Sequence, residues 1–182
     1  MSSNLLILHW YYNTDCIEAV WADWIRCSFA VEAPLIAKKA RAGQFIIFRI
    51  DEYGERVPLT IADTDPEAGT VTIIFQKVGL STNLLGSLEA GDSILDFVGP
   101  LGAATDLSGI RKAAVIGGGV GCAIAYPTAK ALYQAGAEVD MIAGFRNEEL
   151  VIIQEEMEAA SSRFFLCTDD GSAGRKGFVT DQ

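Results

Sequence analysis

The sequence predicts two joined units, a small antiparallel β-barrel followed by a partial doubly wound α/β unit with a parallel sheet. Two patterns predict this. Between residues 31 and 106, short apolar runs alternate with turn signals at regular spacing, the pattern of a small barrel. Further on, the apolar run Ala113-Ala114-Val115-Ile116 meets glycines at 117, 118, 119 and 121, and a helix-periodic segment follows. The 182 residues, 50% of them hydrophobic, allow one large or two small domains with a substantial core. We divide the chain into an atypical segment over 1–27, the barrel over 28–106, and an incomplete α/β domain over 107–182.

In the barrel, residues 44–50 (QFIIFRI) form a strand, and 51–55 with Gly54 a turn. Residues 57–62 form a second strand and 63–69 a turn. Residues 70–77 then alternate Val71, Ile73 and Phe75 against Thr72, Ile74 and Gln76. A further strand over 93–98 is closed by Gly99-Pro100-Leu101-Gly102. Two stretches go beyond scaffolding. Pro58 in Arg56-Val57-Pro58-Leu59-Thr60 requires an edge or irregular strand, which leaves backbone free to meet a flat ligand. In Val78-Gly79-Leu80-Ser81-Thr82, a glycine and two hydroxyls precede a short helix, so Ser81 or Thr82 is a natural N-cap. A helix start near an arginine is a candidate diphosphate site. The same residue types also describe a surface arginine and an ordinary cap.

In the second unit, strand, glycine turn and helix make a phosphate site, because glycine lets backbone N–H groups approach an anion that the helix end favours. Ile124, Thr128, Ala131, Leu132 and Ala135 lie on one predicted helix face, Gly136 ends the helix, and residues 138–143 form the second strand. The dinucleotide fingerprint is imperfect: Cys122 stands where a third glycine or alanine belongs, and Gly144-Phe145-Arg146 replaces the acidic residue at the second strand's end. Plain turn chemistry is the alternative for the glycines. An arginine at that strand end suits a 2′-phosphate, hence NADP(H) over NAD(H); otherwise Arg146 simply faces solvent beside a helix over 147–160, whose Leu150, Ile153 and Met157 point inward. Residues 177–182 read as the beginning of a further helix, so the chain is expected to stop inside a domain.

A net charge of −10 disfavours a nucleic-acid partner, and no basic cluster points to an anionic membrane. Cysteines at 16, 27, 122 and 167 share no metal-ligand spacing, and His9 is the single histidine. Cys122 and Cys167 read as core residues, no metal site is expected from this chain, and the compartment is expected to be cytoplasmic. Leu5–Leu8 is too short for a membrane span, and the opening segment with Trp10, Trp21 and Trp24 has no clean alternation.

Several words stand in family order: Ala42-Gly43-Gln44-Phe45, Arg56 to Asp63 (RVPLTIAD), Gly99-Pro100-Leu101-Gly102, Gly117 to Gly121 with Tyr126-Pro127, Gly144-Phe145-Arg146-Asn147 and Thr168-Asp169-Asp170-Gly171-Ser172. Over about residues 31–182 the chain resembles the ferredoxin–NADP reductase superfamily. Within it, the chain looks like the electron-transfer subunits of dihydroorotate dehydrogenase and of NADH-dependent ferredoxin–NADP oxidoreductase. The resemblance implies FAD, with Arg56 on its diphosphate, Pro58, Leu59 and Thr60 along the ring, and the Thr60 hydroxyl near N5. Val78, Gly79, Ser81 and Thr82 would hold the ring edge and diphosphate. Gly118, Gly119 and Gly121 would meet the nicotinamide nucleotide's diphosphate, and Asp170 and Gly171 would lie near its nicotinamide half.

The family's [2Fe-2S] centre belongs to a C-terminal part not present in this sequence, and residues 1–27 and Ile124 (often proline in relatives) depart from the family pattern. The implied reaction moves hydride between NAD(P)H and FAD, then electrons to an iron–sulfur centre, a larger partner subunit or ferredoxin. A simple nicotinamide dehydrogenase, and an inactive or purely structural fragment or partner subunit that binds a nucleotide without turnover, are the alternatives.

Overall fold

A computed structural model describes residues 17–22 and 26–182. Readings made on Leu5–Leu8, His9, Trp10, Cys16 and Trp24 lie outside the described residues. Six antiparallel strands form the first sheet: β1 (Ile17–Ala22), β2 (Arg26–Glu32), β3 (Phe45–Arg49), β4 (Val57–Asp65), β5 (Thr70–Gln76) and β6 (Asp96–Leu101). Their order is β1-β2-β5-β4-β3-β6. Among the described residues no β1–β6 pairing closes the sheet into a full barrel, because the β1–β2 hairpin stands at the opposite end from β6. A short helix α1 (Pro34–Ala37) follows β2, and α2 (Leu80–Leu85) follows β5.

The period-2 pattern decides which side of this sheet is inside. Val71, Ile73 and Phe75 of β5 are buried with Phe29 and Val31 of β2 and Ile46 and Phe48 of β3. Phe29 meets Phe75 edge to face, ring centroids 5.5 Å apart. The sixth strand lies further along than expected. Ile94 is a core residue and the Leu95 N–H donates to the Ile50 carbonyl, so the ladder starts at Asp96 opposite Arg49. It runs through Gly99-Pro100 rather than stopping there, because Gly99 lies flat on Ile46: a Cβ on Gly99 would come within 2.7 Å of Ile46 Cγ2.

The second sheet is parallel, with order β10-β9-β8-β7 for β7 (Lys112–Gly118), β8 (Glu138–Phe145), β9 (Arg163–Thr168) and β10 (Arg175–Lys176). Helices α3 (Gly121–Gln134) and α4 (Gln154–Ala159) make the crossovers. Val139, Met141, Ala143 and Phe145 of β8 pack under them.

Two expectations are corrected here. The inward face of α3 is Cys122, Tyr126, Ala129 and Leu132, whereas Ile124 is 58% exposed. The cause is Gly117: a Cβ there would stand 2.8 Å from Cys122 Cα, so its absence seats Cys122 on the sheet and sets the helix's rotation. The predicted helix over 147–160 is two pieces, a single 3-10 turn over Glu148–Leu150 and then α4. Asn147 Oδ1 accepts the Leu150 N–H at 3.2 Å, closing the first turn, and Ile153 at φ +44° reverses the chain before the second.

Candidate functional site

The first group of site residues lies where β4 changes partners. Val57–Thr60 pairs with β3 alone, Pro58 standing opposite Ile47, and pairing with β5 begins only at Ile61. Pro58 therefore sits in a half-strand with one bonded side, which is where a residue without an N–H is tolerated. Leu59 and Thr60 share this half-strand and are half-buried. Arg56, just before it, has a side chain 61% exposed and donates from Nη2 to Asp96 Oδ2 at 3.1 Å. The same oxygen takes Arg49 Nε at 2.7 Å. One carboxylate on β6 thus aims two arginines, and nothing in the local sequence around Arg56 announces it.

Helix α2 is brought to this corner. Ser81 Oγ donates to Glu55 Oε2 at 3.3 Å, tying the helix start to the residue before Arg56. The N-cap is Gly79 rather than Ser81 or Thr82. Thr82 lies one turn in, and its Oγ1 accepts from the N–H groups of Val78 (3.0 Å) and Gly79 (3.1 Å). This placement wins because a hydroxyl three residues into a helix can reach back to two orphan donors at once. Val78 and Leu80 are 78% and 77% exposed, a small apolar surface next to a cation.

The second group surrounds a cleft of about 540 Å³. It opens at the carboxyl ends of the parallel strands, where open α/β sheets bind ligands. Gly118, Gly119, Gly144, Arg146, Asp169 and Phe178 line it, and Gln76 at the end of β5 joins it to the first sheet. The glycines here do different work. Gly117 is required by packing, as above. Gly119 has φ +54° and donates its N–H to the Gly144 carbonyl at 2.8 Å. At Gly118, Gly119 and Gly121 an added Cβ would meet no atom within 4 Å. Among the described residues nothing demands glycine at 118 or 121, neither φ nor crowding.

Arg146 is exposed at the cleft, directly after β8. Asp170 and Gly171 shape the loop after β9 and are not among the lining residues, whereas Asp169 is. The Asp170 carboxylate accepts from Ser172 Oγ (2.6 Å) and Ser172 N (2.9 Å), and these hydrogen bonds hold it below the usual carboxylate range. Gly171, at φ +81°, faces Lys176 so closely that a Cβ would stand 2.9 Å from it. Beneath the turn, burial pushes the Cys122 thiol up to about 12, and burial also raises Cys167. Both are core residues. Among the described residues no three His, Cys, Asp or Glu side chains gather as metal ligands.

No protein-family model matches the chain. It is 44% identical over 153 residues to the Thermotoga maritima dihydroorotate dehydrogenase B electron transfer subunit homolog, covering 84% of this chain and 54% of that one. It is 40% identical over 145 residues to the Streptococcus mutans dihydroorotate dehydrogenase B electron transfer subunit, covering 77% and 55%. The chain therefore spans about half the length of these curated relatives. Among solved structures, an NADH-dependent reduced ferredoxin–NADP oxidoreductase described for flavin-based electron bifurcation matches with TM-score 0.86 and 39% identity, over 92% of this chain and 60% of that one. The cytochrome b5 reductase domain of Ulva prolifera nitrate reductase shares the fold at TM-score 0.70 and 16% identity. Antiparallel sheet, parallel sheet and ordered sequence words agree, and by sequence and fold the chain belongs to the ferredoxin–NADP reductase superfamily.

Proposed function

We propose that this chain is the flavin- and nicotinamide-handling part of an NAD(P)H-dependent flavoprotein reductase, passing electrons to an iron–sulfur centre, a larger partner subunit or ferredoxin. The observation that carries this reading is the open glycine turn: Gly118 and Gly119 line a cleft that also reaches Gln76 of the first sheet, and at both, as at Gly121 just outside the lining, an added Cβ would meet no atom within 4 Å. A backbone diphosphate cradle needs that shape, and packing within the chain does not.

The residues present fit both cofactors. Arg56 offers a permanent charge, aimed by Asp96, to the FAD diphosphate, and α2 with Gly79, Ser81 and Thr82 borders the same corner. Pro58, Leu59 and Thr60 present the one-sided half-strand to the flat ring, and Val78 offers an exposed apolar edge. We assign the Thr60 hydroxyl to the ring's reacting edge. In the second unit Gly118, Gly119 and Gly121 cradle the nicotinamide nucleotide's diphosphate, and Arg146 meets a 2′-phosphate where NADP(H) binds. Asp170 and Gly171 hold the loop that puts Asp169 on the cleft. When bound, the two cofactors supply the hydride chemistry, while the chain binds, orients and excludes water. The described cysteines do not fit an iron–sulfur cluster: Cys27 lies in the first core, Cys122 and Cys167 in the second unit, all buried. No described helix is long and apolar enough to cross a membrane. On its cysteine usage, with Cys27, Cys122 and Cys167 free thiols, we place the protein in the cytoplasm.

An absorbance spectrum of the purified chain with FAD, before and after NADPH, tests this reading. Bound flavin that NADPH bleaches is the expected result. Nucleotide binding without any flavin uptake would overturn it in favour of a simple dehydrogenase. Bound flavin that NADPH leaves oxidised would make the chain a nucleotide-binding partner without turnover.

A further inference from the structure

Among the described residues, one ion pair joins the two units. Asp63, three residues beyond Thr60 on β4, receives Lys130 Nζ from α3 on both carboxylate oxygens, at 2.6 and 2.7 Å. The Tyr126 hydroxyl, also on α3, donates to Asp63 Oδ2 at 3.4 Å, and Lys130 Nζ stands 5.8 Å from the centre of that ring. The β4–β5 ladder shifts register between Ile61 and Asp63, at the residue that meets the helix. Both charged side chains are about two-thirds buried, being 33% and 31% exposed, so solvent screens them less than a surface pair. Beside them the units stand apart: a cleft of about 450 Å³ runs between, lined by Arg41, Asp63, Thr64, Pro127, Lys130 and Gln134. From the first sheet, Ile74 packs against the second core.

The two elements that meet here each carry a cofactor end. Thr60 is about 10 Å from Asp63 along β4 at the ordinary strand rise. Lys130 is about 13 Å along α3 from Gly121 at the ordinary helix rise. A rotation of about 5° at the ion pair would therefore move the glycine turn by about 1 Å, a displacement that can cost about a hundredfold in rate.

We propose that Asp63 and Lys130 clamp the α/β unit to the flavin-side strand and thereby fix the distance between the two cofactor sites. They are positioning residues: neither touches a reacting atom. The consequence for transfer rests on the function proposed above, whereas the clamp itself does not.

The test uses the full chain as Asp63→Asn, Lys130→Met, the double variant and the exchanged pair Asp63→Lys/Lys130→Asp. In the cofactor-free chain, amide hydrogen exchange over 61–64 and 126–131 is expected to rise about tenfold or more in the single variants, with the strand interiors unchanged. In the FAD-loaded chain, flavin content and NADPH affinity stay near wild type. The bleaching rate per bound flavin at saturating NADPH falls about tenfold to a hundredfold, and the exchanged pair recovers part of it. Unchanged exchange at both segments overturns the clamp. A lower melting temperature with an unchanged bleaching rate per bound flavin overturns the positioning role and leaves a plain stabilising pair. If wild type takes up no FAD, the proposed function fails, while the exchange measurement still decides for or against the clamp.

Discussion

Replacing Arg56 by alanine separates the charge from the fold. Its side chain is 61% exposed and, among the described residues, makes one ion pair, 3.1 Å to Asp96. An ion pair that open contributes about 0–1 kcal/mol to stability. Asp96 is not orphaned by the change, because Arg49 stays on the same oxygen at 2.7 Å. Melting should therefore shift by no more than about 4 °C for a chain of this size. The loss to FAD is of a different order. One charge-assisted hydrogen bond to a diphosphate is worth about 1.5–3 kcal/mol, so affinity should fall by about 10- to 150-fold. Titration of the cofactor-free chain with FAD, followed by flavin fluorescence, reads the affinity, and a thermal melt reads the fold. Arg49→Ala, the natural control by sequence, is not independent, because both arginines share Asp96. Arg111→Ala, which is exposed and outside both clefts, is the cleaner control. FAD affinity of Arg56→Ala within about twofold of wild type would refute the assignment of Arg56 to the diphosphate, given the magnitude of the bond.

Four further outcomes are expected. Gly118→Ala adds a Cβ that meets nothing within 4 Å and should leave melting unchanged while weakening NADPH at least about tenfold. Gly117→Ala places a Cβ 2.8 Å from Cys122 Cα and should cost about 1–3 kcal/mol of stability, read by denaturant unfolding. Arg146→Ala should remove any preference for NADPH over NADH; equal affinities already in wild type, unchanged by the variant, would make Arg146 a solvent-facing residue. The last outcome concerns pH. Burial pushes Cys122 up to about 12, whereas an unfolded thiol titrates near 8.5. Below about pH 8 both states keep the proton and stability is independent of it. Above that, only the unfolded chain releases it, so stability should fall as pH rises toward the folded value, by about 1.4 kcal/mol per pH unit. Denaturation midpoints between about pH 7 and about pH 10 should decline less steeply in Cys122→Ala than in wild type.

The alternation of Val71, Ile73 and Phe75, the glycine turn and the helix stop at Gly136 were all legible in the sequence, and each appears as read. So was the one-sided strand around Pro58. These signals are local. Side-chain period, proline's missing donor and glycine's freedom at positive φ act within a few residues, and no distant partner can reverse them cheaply.

What misled was also local. Ile124 looks like a core residue by composition, yet one missing Cβ at Gly117 turns it outward. The apolar spacing of Leu150, Ile153 and Met157 looks helical throughout, yet the Asn147 side chain ends the first turn and Ile153 breaks the run. Ser81 and Thr82 look like caps, yet the register of α2 puts Gly79 at the cap and Thr82 inside.

By itself, the sequence determined the two sheet classes, their order along the chain and the residue types present at each candidate site, because hydrophobic period and turn stereochemistry are short-range properties. The tertiary structure alone decided which charges meet. Asp96 reaches Arg56 across 40 residues and Asp63 reaches Lys130 across 67, and both pairs exist only because strand order and helix rotation carry them there. A carboxylate has no preferred partner along the chain, since Coulomb attraction depends on distance in space and that distance is set by the fold.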